Sequence, residues 1–525
     1  MNYIELFSGC GGLSLGLESI KSANMVMANE LSPMPAQTFA YNFFKEDFEK
    51  VSPDKTKWLS SNFTLNEMPL RLREDPRTYP ELNTTNSICD IKDIDSLKGN
   101  LVVANIIHLN QFLKENPDLV KKLSDSFGDG ELDLVSGGPP CQSFSLAGMR
   151  KKNCDKNSLP WEFASFVDKV RPKFTILENV TGILRAFQEE GEKYYAWIEV
   201  SKAFSQIGYI PLCLHVNAKF AGIPQNRPRF IMIGVREDIY NQLSESFNNS
   251  EKELFSSSFA FYNGVRNKID SEIKRLKCHD VNNTAELGLF KDSFLAELVS
   301  HSESFVNVSD AIEDLRFNGT NSTPSKYITT NYEVLTGEAY NKPKPIWNHE
   351  ERSNGALVQR RFRLYQIMQK AGTSPTKEAR SILKGTSNDL SDDAWYAFSS
   401  HDYLIEDGSY VTFKTKGEFI AFLERHPTKK QTQKALVKNS PAPAALSIPD
   451  DACHYHHDEL RTLTVREMAR IQSFPDSFVF RSKVTTGGQM RKFEVPQYTQ
   501  VGNAVPPLLG RALGLSIKNL IQRLL

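Results

Sequence analysis

Several short segments of this 525-residue chain hold side chains able to do chemistry. In Gly137-Gly138-Pro139-Pro140-Cys141-Gln142-Ser143-Phe144-Ser145, two prolines fix the backbone leading into one cysteine. Arg150-Lys151-Lys152 come next, so a rigidly held thiol is backed by a cationic loop with a hinge candidate at Gly148. Glu178-Asn179-Val180 ends an apolar run, and a carboxylate there is costly to bury unless it is paired or used. Gln225-Asn226-Arg227-Pro228-Arg229 sets two arginines about a proline, suited to an anion or a base edge. Phe7-Ser8-Gly9-Cys10-Gly11-Gly12 is a turn whose glycines let a ligand approach the backbone. Glu30 and Asp90 are carboxylates at the expected ends of the second and third strands. Structural turns alone use the same glycines.

Positioning these groups requires a scaffold, and its periodicity is legible. Strands are expected at Tyr3–Phe7, Met25–Asn29, Leu132–Ser136, Phe174–Leu177, Leu212–Asn217 and Phe230–Val235. Helical periods fill Leu13–Ser22, Trp161–Val170 and Tyr195–Ser205. This alternation predicts an α/β, doubly wound, Rossmann-like sheet over 1–236, which binds ligands outside its strand ends. Four prolines between 45 and 85 break the rhythm and read as an insertion on the rim. Residues 237–460 read as a second, irregular domain, with Ser440–Ala445 as a linker or extended crossing segment. Residues 461–525 return to the first domain, with a capping box at Thr464/Glu467 and a helix over Ala504–Leu525.

Composition limits the alternatives. Lys+Arg and Asp+Glu number 63 each, and the 33 Phe, 17 Tyr and 5 Trp supply ample core. Seven scattered cysteines fit a reducing, cytoplasmic setting, and no signal peptide or apolar run long enough to span a membrane is seen. Charge is uneven: Arg352–Lys384 carries eight basic residues and one acidic, and Arg425–Lys438 five and none. Such stripes can follow phosphates despite a net charge of zero, although a solvated basic face looks the same. Cys278-His279 and Cys453–His457 match no closed tetrahedral spacing, so no metal is expected.

Taken in order, FxGxGG, PPCQSFS, ENV, QxRxR, RTLTVREMARIQSFPDSF over Arg461–Phe478 and the final GNAVPP resemble the DNA (cytosine-5) methyltransferases. The resemblance covers about 1–44, 87–236 and 461–525. It implies S-adenosyl-L-methionine as cofactor, with Phe7, Gly9, Cys10, Gly12, Glu30, Leu31, Asp90, Ile91, Gly138 and Asn503 around it. Leu31 stands where the family often has an aromatic, and Cys89 where it usually has Gly.

The resemblance also implies a mechanism. Cys141 adds to C6 of a flipped-out cytosine, Glu178 hydrogen-bonds N3 and the amine and supplies a proton, and Arg229 holds O2. Arg227 supports the site or contacts a phosphate, and Asn179 positions the cysteine loop. Duplex DNA would meet Gln142, Ser143, Ser145 and Arg150, and Arg360, Arg361, Arg363, Lys429, Lys430 and Lys434 of a target-recognition domain. A monomer acting in a restriction–modification or defence setting, with a cognate endonuclease on the same site, is implied by the same resemblance. Methylation of structured RNA, or a catalytically silent DNA-binding regulator, are the other readings.

Overall fold

The computed structural model describes residues 1–140, 159–189, 192–319, 323–428, 434–445 and 454–525. Nine strands form its central sheet: β1 (Asn2–Leu6), β2 (Asn24–Glu30), β3 (Thr56–Trp58), β4 (Asn100–Val103), β5 (Leu134–Gly137), β6 (Phe174–Val180), β9 (Tyr209–Asn217), β11 (Pro228–Arg236) and β12 (Cys278–Asp280). Their order is β12-β9-β11-β6-β5-β1-β2-β4-β3. All neighbours are parallel except β11, which runs against both β6 and β9. Small ladders complete the described strands: β7 (Ala186–Glu189) with β8 (Glu192–Tyr195), β10 (Gln225–Asn226) with β16 (Ala442–Pro443), β13 (Tyr403–Leu404) with β14 (Tyr410–Val411), and β15 (Lys434–Ala435) with β17 (His454–Tyr455).

The sheet is buried on both faces, as the alternation of its side chains requires. Along β9, Ile210, Leu212, Leu214 and Val216 enter one core, while Tyr209 and Cys213 enter the other. The first core also takes α1 (Gly12–Glu18) and the helix Pro507–Gln522; the second takes the helices Ile106–Glu115, Leu159–Val170 and Ala196–Gln206. The doubly wound α/β reading therefore holds. So does the Thr464/Glu467 capping box, in which each residue satisfies the other's backbone N–H.

Within the 45–85 stretch, β3 adds an edge strand to the sheet beside β4. One expectation changes. Loosening of the pattern after residue 236 does not mark departure from the sheet: β12 pairs with β9, and Leu243, Leu254, Phe255 and Leu298 pack in the first core. A separate core begins only with the helix Ala356–Ala371, from Phe362 to Leu423 with Ala435 and Tyr455. Of the two readings of Ser440–Ala445, the extended crossing segment fits, since Ala442–Pro443 pairs with Gln225–Asn226.

A smaller cluster packs beside the glycine turn. Val308, Ala311 and Ile312 pack with Leu463–Phe480, Tyr498 and Val501, and Cys10 of the glycine turn lies in the same cluster. Buried arginines reinforce it. Arg470 reaches Asp314 and Asp476, each at 2.6 Å, and Arg461 grips Glu467 through two nitrogens at 2.8 and 2.7 Å. Removing one partner from such a pair leaves an uncompensated buried charge, at a cost of about 3–5 kcal/mol. The described helices include none long and apolar enough to cross a membrane.

Candidate active site

Because β5 and β6 are parallel with Gly137 opposite Leu177, Gly138 and Glu178 emerge side by side at the carboxyl edge. Glu178 is 8% exposed, and its Oε1 lies 2.7 Å from Nε of Arg229, which is 9% exposed. Arg229 reaches it from β11, whose antiparallel register sets Ile231 opposite Glu178 and Arg229 opposite Val180. Gly138 is small for a reason: a Cβ there would stand 3.0 Å from Glu178 Oε2. Asn179, also buried, donates from Nδ2 to the Pro139 carbonyl at 3.1 Å, two residues before Cys141. The chain thus brings a carboxyl, a guanidinium and the base of the cysteine loop to one place. Cys141 itself, with Gln142, Ser143, Ser145 and Arg150, lies outside the described residues.

Arg227 cannot meet a phosphate, because it is fully buried. Its Nη2 donates to the carbonyls of Gly502 at 2.9 Å and Ala504 at 3.0 Å, on either side of Asn503. Asn503 itself is exposed. Arg227 is therefore a support that presents Asn503 at the sheet edge.

At the other end, β1 runs into the glycine turn. Phe7 adopts a left-handed φ of 55°, and Ser8 N–H bonds the Asn29 carbonyl at 2.9 Å. Gly9 also has positive φ, and a Cβ there would meet nothing within 4 Å, so the turn faces open space. Its N–H donates to Glu30 Oε2 at 2.9 Å, while Ser32 N–H takes Oε1 at 2.8 Å. Burial pushes the Glu30 carboxyl above its ordinary range in spite of these bonds. Gly12 serves packing instead, since a Cβ on it would stand 2.2 Å from the Val505 carbonyl. Cys10 turns its thiol inward toward the Gln500 carbonyl, and burial raises its pKa, so only its backbone can face a ligand.

Asp90 departs from expectation. It ends no strand, and its carboxylate is committed to Arg71 Nη1 at 2.7 Å and Trp58 N–H at 3.0 Å. It stands beyond β3, on the far side of β4 from Glu30. Ile91 packs on the second core instead of at the strand ends. On the side of β2 away from β1 lies β4, with Glu30 opposite Val103, and the chain continues from it into Ala104-Asn105-Ile106-Ile107. Asn105 caps the helix Ile106–Glu115 by accepting from Ile107 N–H at 3.0 Å. Leu31 and Ile107, 40% and 42% exposed, are apolar side chains left open at neighbouring strand ends. Sequence reasoning passed over Asn105; the signal was an N-cap residue just after the apolar run Leu101–Val103.

These residues suit an adenosyl group: an open glycine turn, a carboxylate at the end of the second strand and two uncovered apolar side chains. Of the expected DNA contacts, Arg360 donates to His426 Nε2 at 3.0 Å, Arg361 bonds the Pro427 carbonyl, and Arg363 pairs with Asp402. These three guanidinium groups therefore already hold their own domain together. Lys434 is exposed on β15, while Lys429 and Lys430 lie outside the described residues.

Comparison with known proteins gives the site a context. The family model described as C-5 cytosine-specific DNA methylase matches residues 1–67 and 105–519, which omits Asp90 and Ile91 and resumes at Asn105. The type II methyltransferase M.DdeI of Desulfomicrobium norvegicum is 25% identical, covering 100% of this chain and 94% of that protein. M.Bpa9945I of Bacillus paralicheniformis, also a type II methyltransferase, is 26% identical over 99% of both chains. A solved E. coli structure, described as a prophage-encoded DNA modification methyltransferase, aligns over 99% of both chains with 19% identity and a TM-score of 0.45. With the family model spanning nearly its whole length, the chain belongs to the C-5 cytosine-specific DNA methylases.

Proposed function

We propose that this enzyme transfers a methyl group from S-adenosyl-L-methionine to C5 of a cytosine flipped out of a specific duplex DNA sequence. The buried Glu178–Arg229 pair, set beside Gly138 and the Pro139 carbonyl that Asn179 holds, carries this reading. C5 is too weak a nucleophile to take a methyl group unaided. The Cys141 thiolate adds to C6, the ring accepts a proton at N3 from Glu178, and C5 becomes an enamine carbon. Arg229 holds O2 and keeps the ring in register with the carboxyl. After transfer, the C5 proton leaves to base, the C6–sulfur bond breaks, and aromaticity returns.

The cofactor supplies the electrophilic methyl. Gly9 and the Glu30 carboxylate would receive its ribose end, Gly138 and Asn503 its methionine end, and Leu31 with Ile107 its adenine. Asn105, in place of Asp90, would meet the adenine edge. Reaching the base requires its extrusion from the duplex. The separately packed 356–435 region with Tyr455 is the target-recognition body. Type II names among the relatives favour a restriction–modification setting with a partner endonuclease.

The test is a cognate duplex carrying 5-fluorocytosine. Fluorine cannot leave C5 as a proton does, so a covalent adduct should accumulate and be lost in Cys141→Ser. Absence of adduct in an enzyme that methylates the unmodified duplex would rule out addition at C6. Incorporation of label from the methyl donor into structured RNA instead of duplex DNA would move the substrate assignment.

A further inference from the structure

The segment between β2 and β4 is absorbed only in part by the chemistry above, yet it touches the carboxyl end of both strands. Tyr79 lies within it, 8% exposed, its ring in a small core with Ala28, Phe39, Trp58 and Val103. Its hydroxyl leaves that core to donate to the Leu31 carbonyl at 3.1 Å. Burial, with the charges of Glu74 and Glu30 nearby, holds the phenol far above its ordinary pKa, so it stays a donor. Two residues on, the Glu81 carboxylate stands 3.4 Å from Nε2 of His108, in the first turns of the helix after β4. His108 is 7% exposed, and its Nδ1 has no hydrogen-bond partner among the described residues.

The loop is itself braced. Ser60 Oγ donates to the Pro80 carbonyl at 2.5 Å, and Asn62 Nδ2 to the Thr78 carbonyl at 2.9 Å. One rigid segment therefore holds the backbone after β2 with Tyr79 and approaches the helix after β4 with Glu81. Leu31 and Ile107 are the uncovered apolar side chains at these two points.

We propose that Tyr79 is a positioning residue for the cofactor: by fixing the Leu31 carbonyl it sets the apolar floor on which adenine rests. An aromatic at position 31 could hold adenine by its own breadth. Leucine offers less area, and a floor with less area gains from a fixed backbone. This inference rests on the cofactor reading above and concerns affinity for the adenosyl end alone.

The experiment is calorimetric titration of S-adenosyl-L-homocysteine into the full-length protein. Tyr79→Phe removes one hydroxyl and keeps the ring, and Kd should rise about tenfold with the KM for duplex DNA unchanged. Leu31→Ala, at an exposed position, should raise Kd by a similar factor without loss of fold. Because both act through one contact, the double variant should bind no more than about twofold worse than the weaker single variant. Multiplying effects in the double variant, or a Tyr79→Phe protein that binds as the wild type does, would overturn the proposal. Should Tyr79→Phe lower Tm by several degrees, the cycle still decides, because a loss of fold would not be cancelled by Leu31→Ala. Wild-type protein that fails to bind S-adenosyl-L-homocysteine would remove the cofactor reading itself, a separate result.

Discussion

Arg227 grips the main chain on both sides of Asn503, through Gly502 and Ala504. An arginine with no exposure, 275 residues away in sequence from the first carbonyl it holds, thus fixes the placement of an exposed amide. Arg227→Ala should lower Tm and raise the KM for the methyl donor by at least tenfold, because two carbonyls lose their donor and Asn503 loses its seat. Arg227→Lys should recover little of this, since one ammonium cannot match the planar reach of a guanidinium. Unfolding scans paired with steady-state kinetics check both; an Arg227→Ala enzyme with unchanged donor KM would separate Arg227 from the cofactor.

Glu178→Gln keeps size and burial but cannot supply a proton. Methyl transfer in single turnover should slow by about 10²–10⁴, with cofactor Kd unchanged. Asn179→Ala frees the Pro139 carbonyl, and should lower the transfer rate by about tenfold without altering that Kd. A Glu178→Gln enzyme within threefold of wild type would end the proton-donor role.

Asp90 and Asn105 make opposite predictions. Asp90→Asn breaks the ion pair with fully buried Arg71, so Tm should fall, while affinity for S-adenosyl-L-homocysteine changes less than twofold. Asn105→Ala should weaken that affinity by about tenfold. The reverse pattern would return the adenine edge to Asp90.

Glu5 gives a pH signature. It is 3% exposed, accepts from Ser14 Oγ, and burial with the nearby Glu30 charge raises its pKa to about 8. The folded state therefore binds a proton that the unfolded chain, with an ordinary carboxyl near 4.5, releases. This contribution to stability is complete below about pH 4.5 and is lost as pH rises through about 8. Glu5→Gln is neutral throughout, so its Tm relative to wild type should climb between pH 5 and pH 8.5. Parallel Tm curves for the two proteins would mean Glu5 is charged in the fold.

Much of the sheet was legible because burial on both faces forces continuous apolar runs, as in Phe174–Leu177 and Phe230–Val235. The ordered motifs led to Glu178 and Glu30 at the carboxyl ends of β6 and β2, and to Arg229 at the start of the antiparallel β11. Asp90 misled because motif spacing alone cannot show that a carboxylate is already taken by Arg71, nineteen residues earlier and in an unpatterned stretch. Strand β4 is four residues long and comes after a turn, so its helical successor masked it. For Arg227 the sequence left support and phosphate contact both open, because it displays a charge but not its burial; the burial decides for support. The basic stripe over 352–384 shows the same limit, as Arg360, Arg361 and Arg363 bond within their own domain.

Gly12 meets the Val505 carbonyl, Cys10 the Gln500 carbonyl, and Gly16 lies against the backbone of Pro507 and Arg511. The turn at residues 9–12 is thus walled by the backbone of residues 500–511. A chain cut before residue 500 would keep every strand of the central sheet, Cys278–Asp280 being the last of them in sequence, yet leave the glycine turn without that wall. A protease that clips near residue 500 would extinguish the enzyme while leaving the greater part of its bulk intact.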